Sequence, residues 1–181
     1  QDVFEETLAL LKAQEKGAMS TIVSSKGSLP MSKKAKMLVR PDGKIVGTVG
    51  GGCLEADVWA EARRVIETGQ PTLQRFILTE EHAGADGLNC GGNVDIFTEP
   101  VSPGESDEIF EEVARIRSAR GSAVLATVVE GRRPGEKLLV REDGTRLGSL
   151  GSDEGVEAVL HELDELESHG RTLFGSQRLA G

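Results

Sequence analysis

Segments in which hydrophobic residues recur at helical spacing alternate along the chain with short apolar segments that are typical of strands. Phe4, Leu8 and Leu11 recur at helical spacing and predict a first helix near residues 3–16. A second amphipathic helix is predicted from Leu54 onward and ends at Gly69. Short apolar runs predict the strands, which we place at 20–25, 36–40, 44–49, 73–79 and 94–99. A Pro-Asp-Gly turn between the second and third of them predicts a hairpin.

The same pattern occurs twice. Leu-Val-Arg-Pro-Asp-Gly at 38–43 returns as Leu-Val-Arg-Glu-Asp-Gly at 139–144, an offset of 101 residues. At that offset Gly-Thr-Val-Gly at 47–50 returns as Gly-Ser-Leu-Gly at 148–151. Upstream, the glycines and proline at 17, 27 and 30 match those at 121, 131 and 134 if the offset becomes 104. This self-similarity predicts a duplicated unit, each copy being a helix followed by strands.

The second copy has a predicted helix at 105–120, strands at 122–129, 137–141 and 145–149, and a helix through Val156 to Leu166. A further strand is expected to start at 171–175, and the chain ends before its partner. We therefore predict an α/β fold with an α+β tendency, a mixed β-sheet with flanking helices built from two related helix–strand–hairpin–helix units. The domains are 1–100 and a degenerate, truncated copy at 101–181, and we expect the chain to be a piece of a longer protein.

Composition narrows the function classes. The net charge is −9, the pI is about 4.9 and aromatic residues are 3% of the chain, so nucleic acid and anionic membranes are disfavoured as partners. No apolar run is long enough to span a membrane, and two cysteines cannot form a disulfide scaffold, which favours a cytoplasmic location. Residues 26–44 carry a net charge of +5, which suits a small anionic ligand or is simply a solvated loop.

Both cysteines lie among glycines, in Gly-Gly-Gly-Cys at 50–53 and Cys-Gly-Gly at 90–92. The first motif falls where a strand ends and a helix begins, so its glycines permit close backbone approach and its N–H groups favour an anion. The alternative to a binding site is that both motifs are tight turns whose glycines only allow close packing. In the second copy Ser152-Asp153-Glu154 replaces Gly51-Gly52-Cys53, so the fold does not require the motif. Glu55, Asp86 and Glu99 are candidate proton carriers, although Glu55 would also stabilise a helix start.

Other motifs are missing. No Gly-x-Gly-x-x-Gly or Gly-Lys-Ser/Thr pattern occurs, so a Rossmann dinucleotide site or a P-loop is not supported. His161-Glu162 is followed by Glu165 where a zinc protease has histidine, and three histidines with two separated cysteines do not favour a four-ligand zinc site.

These motifs together resemble the XdhC/CoxI family, the accessory proteins of xanthine dehydrogenase and carbon monoxide dehydrogenase maturation. The resemblance rests on Gly-Ser-Leu-Pro at 27–30, Ala-Lys-Met-Leu-Val at 35–39, Asp-Gly at 42–43, Gly-Thr-Val-Gly-Gly-Gly-Cys-Leu-Glu at 47–55 and Gly-Leu-Asn-Cys-Gly-Gly at 87–92. Family members usually have Arg at the position of Met31 and Gly at that of Lys34, and many carry a C-terminal Rossmann domain that does not occur here.

The resemblance implies a bacterial, cytoplasmic chaperone that binds the molybdenum cofactor (molybdopterin) as cargo and delivers it to a molybdenum hydroxylase apoenzyme. It implies Cys53 and Cys90 as ligands of the metal or its sulfur. The implied cofactor-binding residues are Ser28, Lys36, Gly50, Gly51, Gly52, Cys53, Glu55, Cys90, Gly91 and Gly92. A cysteine desulfurase is a further expected partner, and a homodimer is the expected assembly.

Two other functions stay open at this point. The protein could be a docking scaffold that does not need either cysteine. It could also be a thiol redox or sulfur-transfer enzyme that uses Cys53 and Cys90 as a pair, which their separation of 37 residues neither requires nor excludes. We expect a non-enzymatic accessory protein, with delivery as the first hypothesis.

Overall fold

The computed structural model of the protein describes residues 2–26, 35–78, 92–104 and 107–169. The chain forms two compact units, Gln1–Asp107 (unit 1) and Glu108–Gly181 (unit 2). In the described residues no helix is both long and apolar enough to cross a membrane.

Unit 1 contains two helices and a five-stranded sheet in its described part. Its elements are α1 (Val3–Lys12), β1 (Gly17–Lys26), β2 (Lys36–Val39), β3 (Ile45–Gly47), α2 (Gly52–Thr68), β4 (Thr72–Leu78) and β5 (Gly92–Val101). The strand order is β3-β2-β1-β5-β4, and each neighbouring pair is antiparallel. The long central strands β1 and β5 therefore hold the sheet together.

The two helices cover opposite faces of this sheet. The apolar residues of α2 (Leu54, Val58, Ala62 and Val65) join one core cluster with Ala18, Ile22, Met37, Val39, Val94 and Ile96 from the strands. Alternate residues of a strand point to opposite faces, so Met19 and Leu38 face the other way. There α1 lies close to the sheet, because a Cβ built on Gly17 would be 2.9 Å from Cδ1 of Leu10 and 3.7 Å from Cδ1 of Leu38.

The antiparallel order brings several strand ends to one edge of the sheet. Strands β1, β3 and β4 end there, and β2 and β5 begin there. We call this edge, defined by Lys26, Lys36, Gly47, Leu78 and Gly92, the loop edge. The turn from β3 into α2 also starts at the loop edge, so the N-terminus of the 17-residue helix α2 lies on this side of unit 1.

Unit 2 repeats the order of the first five elements of unit 1. They are α3 (Asp107–Ser118), β6 (Ala123–Thr127), β7 (Lys137–Arg141), β8 (Arg146–Gly148) and α4 (Asp153–His169), and the sheet order is β6-β7-β8. The predicted fold class, α/β with an α+β tendency and built from two related helix–strand–hairpin–helix units, is confirmed, with antiparallel sheets in place of the expected mixed sheet. The described strands form two separate sheets, both antiparallel, and the predicted strand at 171–175 lies outside the described residues.

The strand register corrects the sequence alignment of the two units. Thr21 pairs with Lys36 in unit 1, and Thr127 pairs with Lys137 in unit 2, so the first strand is offset by 106 residues and not by 104. Both first helices are also shorter than predicted, because left-handed residues follow them. Gln14 has φ 57° and Arg120 has φ 55°, which are equivalent positions at the offset of 106.

Candidate functional site

Three consecutive glycines form the turn between β3 and α2. Gly50, Gly51 and Gly52 have φ values of 145°, 73° and 62°, a region that residues with a Cβ rarely adopt. A Cβ built on Gly51 would meet no atom within 4 Å, so the space beside this residue is open. The turn therefore leaves the backbone at the start of α2 accessible to a ligand.

Thr48 and Glu55 connect the two ends of this turn. The Thr48 hydroxyl donates a 2.5 Å hydrogen bond to Oε2 of Glu55, and the Gly51 N–H donates to the same oxygen at 3.2 Å. The Gly50 N–H donates to Oγ1 of Thr48 at 3.1 Å. The N–H groups of the first two glycines are thus satisfied from within the turn.

Backbone N–H groups in the first turn of α2 have no hydrogen-bond acceptor within the helix. Its N-cap residue, Gly51, makes no side-chain capping bond in the described structure. The first intrahelical hydrogen bond runs from the Glu55 N–H to the Gly51 carbonyl oxygen, so the helix itself cannot satisfy the N–H groups of Gly52, Cys53 and Leu54. They lie at the positive end of the helix dipole, where an anionic group is stabilised.

Cys53 occupies the second position of α2, next to these donors. Its side chain is exposed, and the thiol is free. In the described residues no three His, Cys, Asp or Glu side chains come together as a metal site. The described part of the site therefore offers one sulfur ligand beside a set of backbone donors, which suits a soft metal carried on an anionic ligand.

Lys36 lies on the other face of the sheet. Its Nζ donates to Oγ1 of Thr21 at 2.9 Å and lies 5.9 Å from the centre of the Phe4 ring of α1. Its neighbour Met37 points into the α2 core. The sheet consequently lies between the Lys36 amino group and α2. The Lys36 carbonyl oxygen accepts the Thr48 N–H at 3.0 Å, but the amino group lies on the face opposite α2.

The remaining sequence-predicted residues fall partly outside the described structure. Ser28, Cys90 and Gly91 lie outside it, as does Asp86. Gly92 is buried at the start of β5 and pairs with Leu78. The strand ends that flank 27–34 and 79–91 belong to the loop edge, on the side where α2 begins. Glu99 is buried and pairs with Met19 toward the far end of β5, away from the motifs.

Unit 2 has the equivalent connection with a different backbone and without the open helix start: Gly151 has φ 72° where Gly50 has 145°, and Ser152 lacks the positive φ of Gly51. Ser149 accepts the Gly151 N–H at 3.0 Å, as Thr48 does for Gly50. Ser152 then accepts the Gly155 N–H at 3.2 Å, and Asp153 and Glu154 place negative charge in the first turn of α4. Sequence reasoning missed the role of Thr48, although a hydroxyl at both 48 and 149 was the available signal.

The fold and turn define a class: a two-unit antiparallel α+β protein that presents a free cysteine and open backbone donors at one helix start. The chain belongs to the XdhC and CoxI family, whose model matches residues 10–76 and 116–174, one segment in each unit and more than half of the chain together.

Two curated relatives match part of this chain. YqeB of Escherichia coli K12, an uncharacterized protein, is 38% identical over 96 residues, which is 53% of this chain and 18% of YqeB. A probable xanthine dehydrogenase subunit of Bacillus subtilis 168 is 29% identical over 107 residues, which is 58% of this chain and 32% of that protein. The chain thus spans less than a third of the length of either relative.

A solved structure shares the fold. The crystal structure of a xanthine dehydrogenase from Bacillus halodurans aligns with a TM-score of 0.66 at 24% identity. The alignment covers 85% of this chain and 48% of that chain.

Proposed function

We propose that this chain binds the molybdenum cofactor as cargo at the Gly50–Cys53 turn and delivers it to a molybdenum hydroxylase of the xanthine dehydrogenase or carbon monoxide dehydrogenase type. Family membership and the name of the Bacillus subtilis relative support a role connected with xanthine dehydrogenase. The observation that carries the proposal is the contrast between the two helix starts, open beside an exposed thiol in unit 1 and capped by Ser152 in unit 2.

The chemistry of this cargo fits the turn. A pterin dithiolene carries a phosphate or nucleotide end, which can accept hydrogen bonds from the N–H groups of Gly52, Cys53 and Leu54 at the positive end of the helix dipole. Its metal binds sulfur readily, so the Cys53 thiol is placed to contact the metal or its terminal sulfur. Gly51 leaves room for the pterin to approach the backbone.

Segments that leave the loop edge supply the rest of the proposed site. We assign Cys90 as a second sulfur ligand and Ser28, Gly91 and Gly92 as further cofactor-binding residues. The described strand ends that flank these segments lie on the side where α2 begins. We assign Lys36 no contact with the cargo, since its amino group lies on the α1 face.

Anaerobic titration of molybdenum cofactor onto the full chain tests the proposal. We expect Cys53→Ala and Cys90→Ala each to weaken binding at least tenfold, and cofactor-loaded wild type to activate a cofactor-free molybdenum hydroxylase. Glu154→Ala is the matched control, because Glu154 occupies the position of Cys53 in unit 2 and is exposed. It should bind like wild type.

The other outcomes separate the alternatives. Unchanged binding and activation in both cysteine variants would refute the cargo site and favour a docking scaffold. A Cys53–Cys90 disulfide that forms and opens at a cytosolic potential, with no cofactor binding, would favour a redox protein.

A further inference from the structure

Glu55 is the one charged side chain that the described structure ties to the glycine turn. A single carboxylate oxygen, Oε2, accepts both the Thr48 hydroxyl at 2.5 Å and the Gly51 N–H at 3.2 Å. Through Thr48 the same network reaches the Gly50 N–H at 3.1 Å. The side chain therefore connects the residues after β3 to the first turn of α2 and fixes two of the three glycines that have positive φ.

We propose that Glu55 is a positioning residue, which holds the turn in the shape that presents Cys53 and does not itself contact the cargo. This inference rests on the proposed function for what the turn binds. It differs from a proton carrier or a cofactor ligand, the roles that the sequence suggests for this carboxylate.

Two kinds of side-chain contact occur at the other helix starts. Asp107 of α3 reaches back to the Gly104 N–H at 2.9 Å, as Glu55 does to Gly51, whereas the caps of α1 and α4 accept N–H groups of the first turn. Asp2 accepts the N–H groups of Phe4 and Glu5 at the start of α1, at 2.9 and 3.2 Å, and Ser152 accepts that of Gly155 in α4. Each of these caps occupies first-turn donors. Glu55 instead reaches back to the Gly51 N–H, so the turn is fixed while the donors around Cys53 stay available.

Unit 2 supports the connection between Glu55 and the cysteine. It keeps the hydroxyl at Ser149 and its bond to Gly151, but Val156 stands where unit 1 has Glu55. The unit without a cysteine therefore lacks the carboxylate and uses a serine cap.

Amide exchange and alkylation are measured on the full chain in a Cys90→Ala background, so that Cys53 is the single thiol, whereas cofactor binding is measured with Cys90 present. The readouts are hydrogen exchange at the Gly51 amide by NMR, the alkylation rate of Cys53 by iodoacetamide, and cofactor binding. Glu55→Ala should speed Gly51 exchange at least tenfold, shift the alkylation rate at least threefold and weaken cofactor binding at least tenfold. Glu55→Gln keeps an acceptor oxygen and should stay within threefold of the parent in all three.

Two neighbouring variants sharpen the result. Thr48→Ser should keep the network, because Ser149 makes the equivalent bond in unit 2, whereas Thr48→Val should speed exchange at Gly50 and Gly51. Val156→Ala in unit 2 is the matched control and should change none of the readouts.

Two results would overturn the inference: Glu55→Gln losing as much binding as Glu55→Ala, which would mean that the charge itself contacts the cargo, or unchanged Gly51 exchange in Glu55→Ala. Exchange and alkylation are measured without cargo. They therefore judge the positioning role separately from the binding of the cofactor, which Cys53→Ala judges.

Discussion

Gly47 and Gly51 lie four residues apart around the same turn, yet replacing each with alanine should have different consequences. At Gly47, with φ 82°, a Cβ would be 2.3 Å from the Lys36 carbonyl oxygen and 2.6 Å from Cγ2 of Val3 in α1. At Gly51, with φ 73°, it would meet nothing within 4 Å. The first substitution opposes the packing of the sheet, and the second opposes only the local backbone conformation.

The magnitudes follow from these contacts. The backbone conformation costs alanine about 1–2 kcal/mol at Gly47. It costs about 1–3 kcal/mol at Gly51, whose φ of 73° and ψ of −176° lie in a region that is essentially confined to glycine. In both variants the reduced freedom of the unfolded chain offsets about 0.4–1 kcal/mol, so Gly51→Ala should cost about 1–2 kcal/mol. At Gly47 the Lys36 oxygen can move only by losing its bond from the Thr48 N–H, 3.0 Å long and worth about 1 kcal/mol. Overpacking against Val3 adds about 1–3 kcal/mol, so after the same offset Gly47→Ala should cost about 2–5 kcal/mol, more than Gly51→Ala.

Urea unfolding followed by the fluorescence of Trp59 measures the difference. Trp59 is the sole tryptophan and lies in α2, so its signal reports on unit 1. Gly148→Ala is the counterpart in unit 2, where the Cβ would be 2.3 Å from the Lys137 oxygen, and circular dichroism should show a similar loss. Equal midpoints for Gly47→Ala and Gly51→Ala would refute the reasoning from Cβ contacts.

Gly47→Ala and Gly51→Ala also distinguish an effect on stability from an effect on cofactor binding. Gly51→Ala places a methyl group in the open space beside the turn, so it should weaken cofactor binding at least tenfold in a protein that still unfolds cooperatively. Normal binding by this variant would mean that the cargo does not approach the backbone there.

Two further predictions concern unit 2. Ser152→Ala removes the acceptor of the Gly155 N–H and should destabilise unit 2 by about 1 kcal/mol in urea, whereas Ser152→Gly should cost only a few tenths; equal losses would contradict a capping role. Hydrogen bonds from Arg115 and then Arg141 lower the pKa of Glu112 from 4.5 to about 2, so its contribution to stability is complete above pH 4.5 and is lost as the pH falls toward 2. Thermal unfolding from pH 6 to pH 2 should therefore show a smaller acid loss for Glu112→Gln than for wild type, and parallel curves below pH 4.5 would show that the pairing has no effect on stability.

Much of the fold is predictable because its signals are local. The spacing of apolar residues identifies α1 and α2, and the Pro-Asp-Gly turn identifies the β2–β3 hairpin. The ends of α1 and α3 were not predictable, because Gln14 and Arg120 adopt the left-handed region without being glycine or asparagine. The predicted offset of 104 residues between the first strands was wrong, because it aligned glycines that are not structurally equivalent. The paired residues are Thr21 and Lys36 in unit 1 and Thr127 and Lys137 in unit 2, so the connection between them is five residues longer in unit 1.

In the candidate site, too, the features with local sequence signals were predictable and the others were not. Glycines before a helix identified the turn at 50–53, since that motif is a local signal. The position of Lys36 depends on which helix covers which face of the sheet, and this is settled only by packing in three dimensions. The role of Thr48 is shown by its bonds to Gly50 and Glu55, whereas the sequence offers only the shared hydroxyl at 48 and 149 as a signal.

The duplication also predicts how much cargo one chain carries. Both units keep glycine where a Cβ would strike a backbone oxygen, at 47 and 148, but unit 2 has Ser152 at the position of Gly51, where the space is open. The fold therefore demands the first glycine and not the second. Ser152 fills a first-turn donor of α4, and the carboxylates of Asp153 and Glu154 lie where the anionic end of the cargo would have to bind. Calorimetric titration should accordingly give one molybdenum cofactor per chain, lost in Cys53→Ala and kept in Glu154→Ala. A stoichiometry of two would mean that neither the cysteine nor the open helix start defines the site.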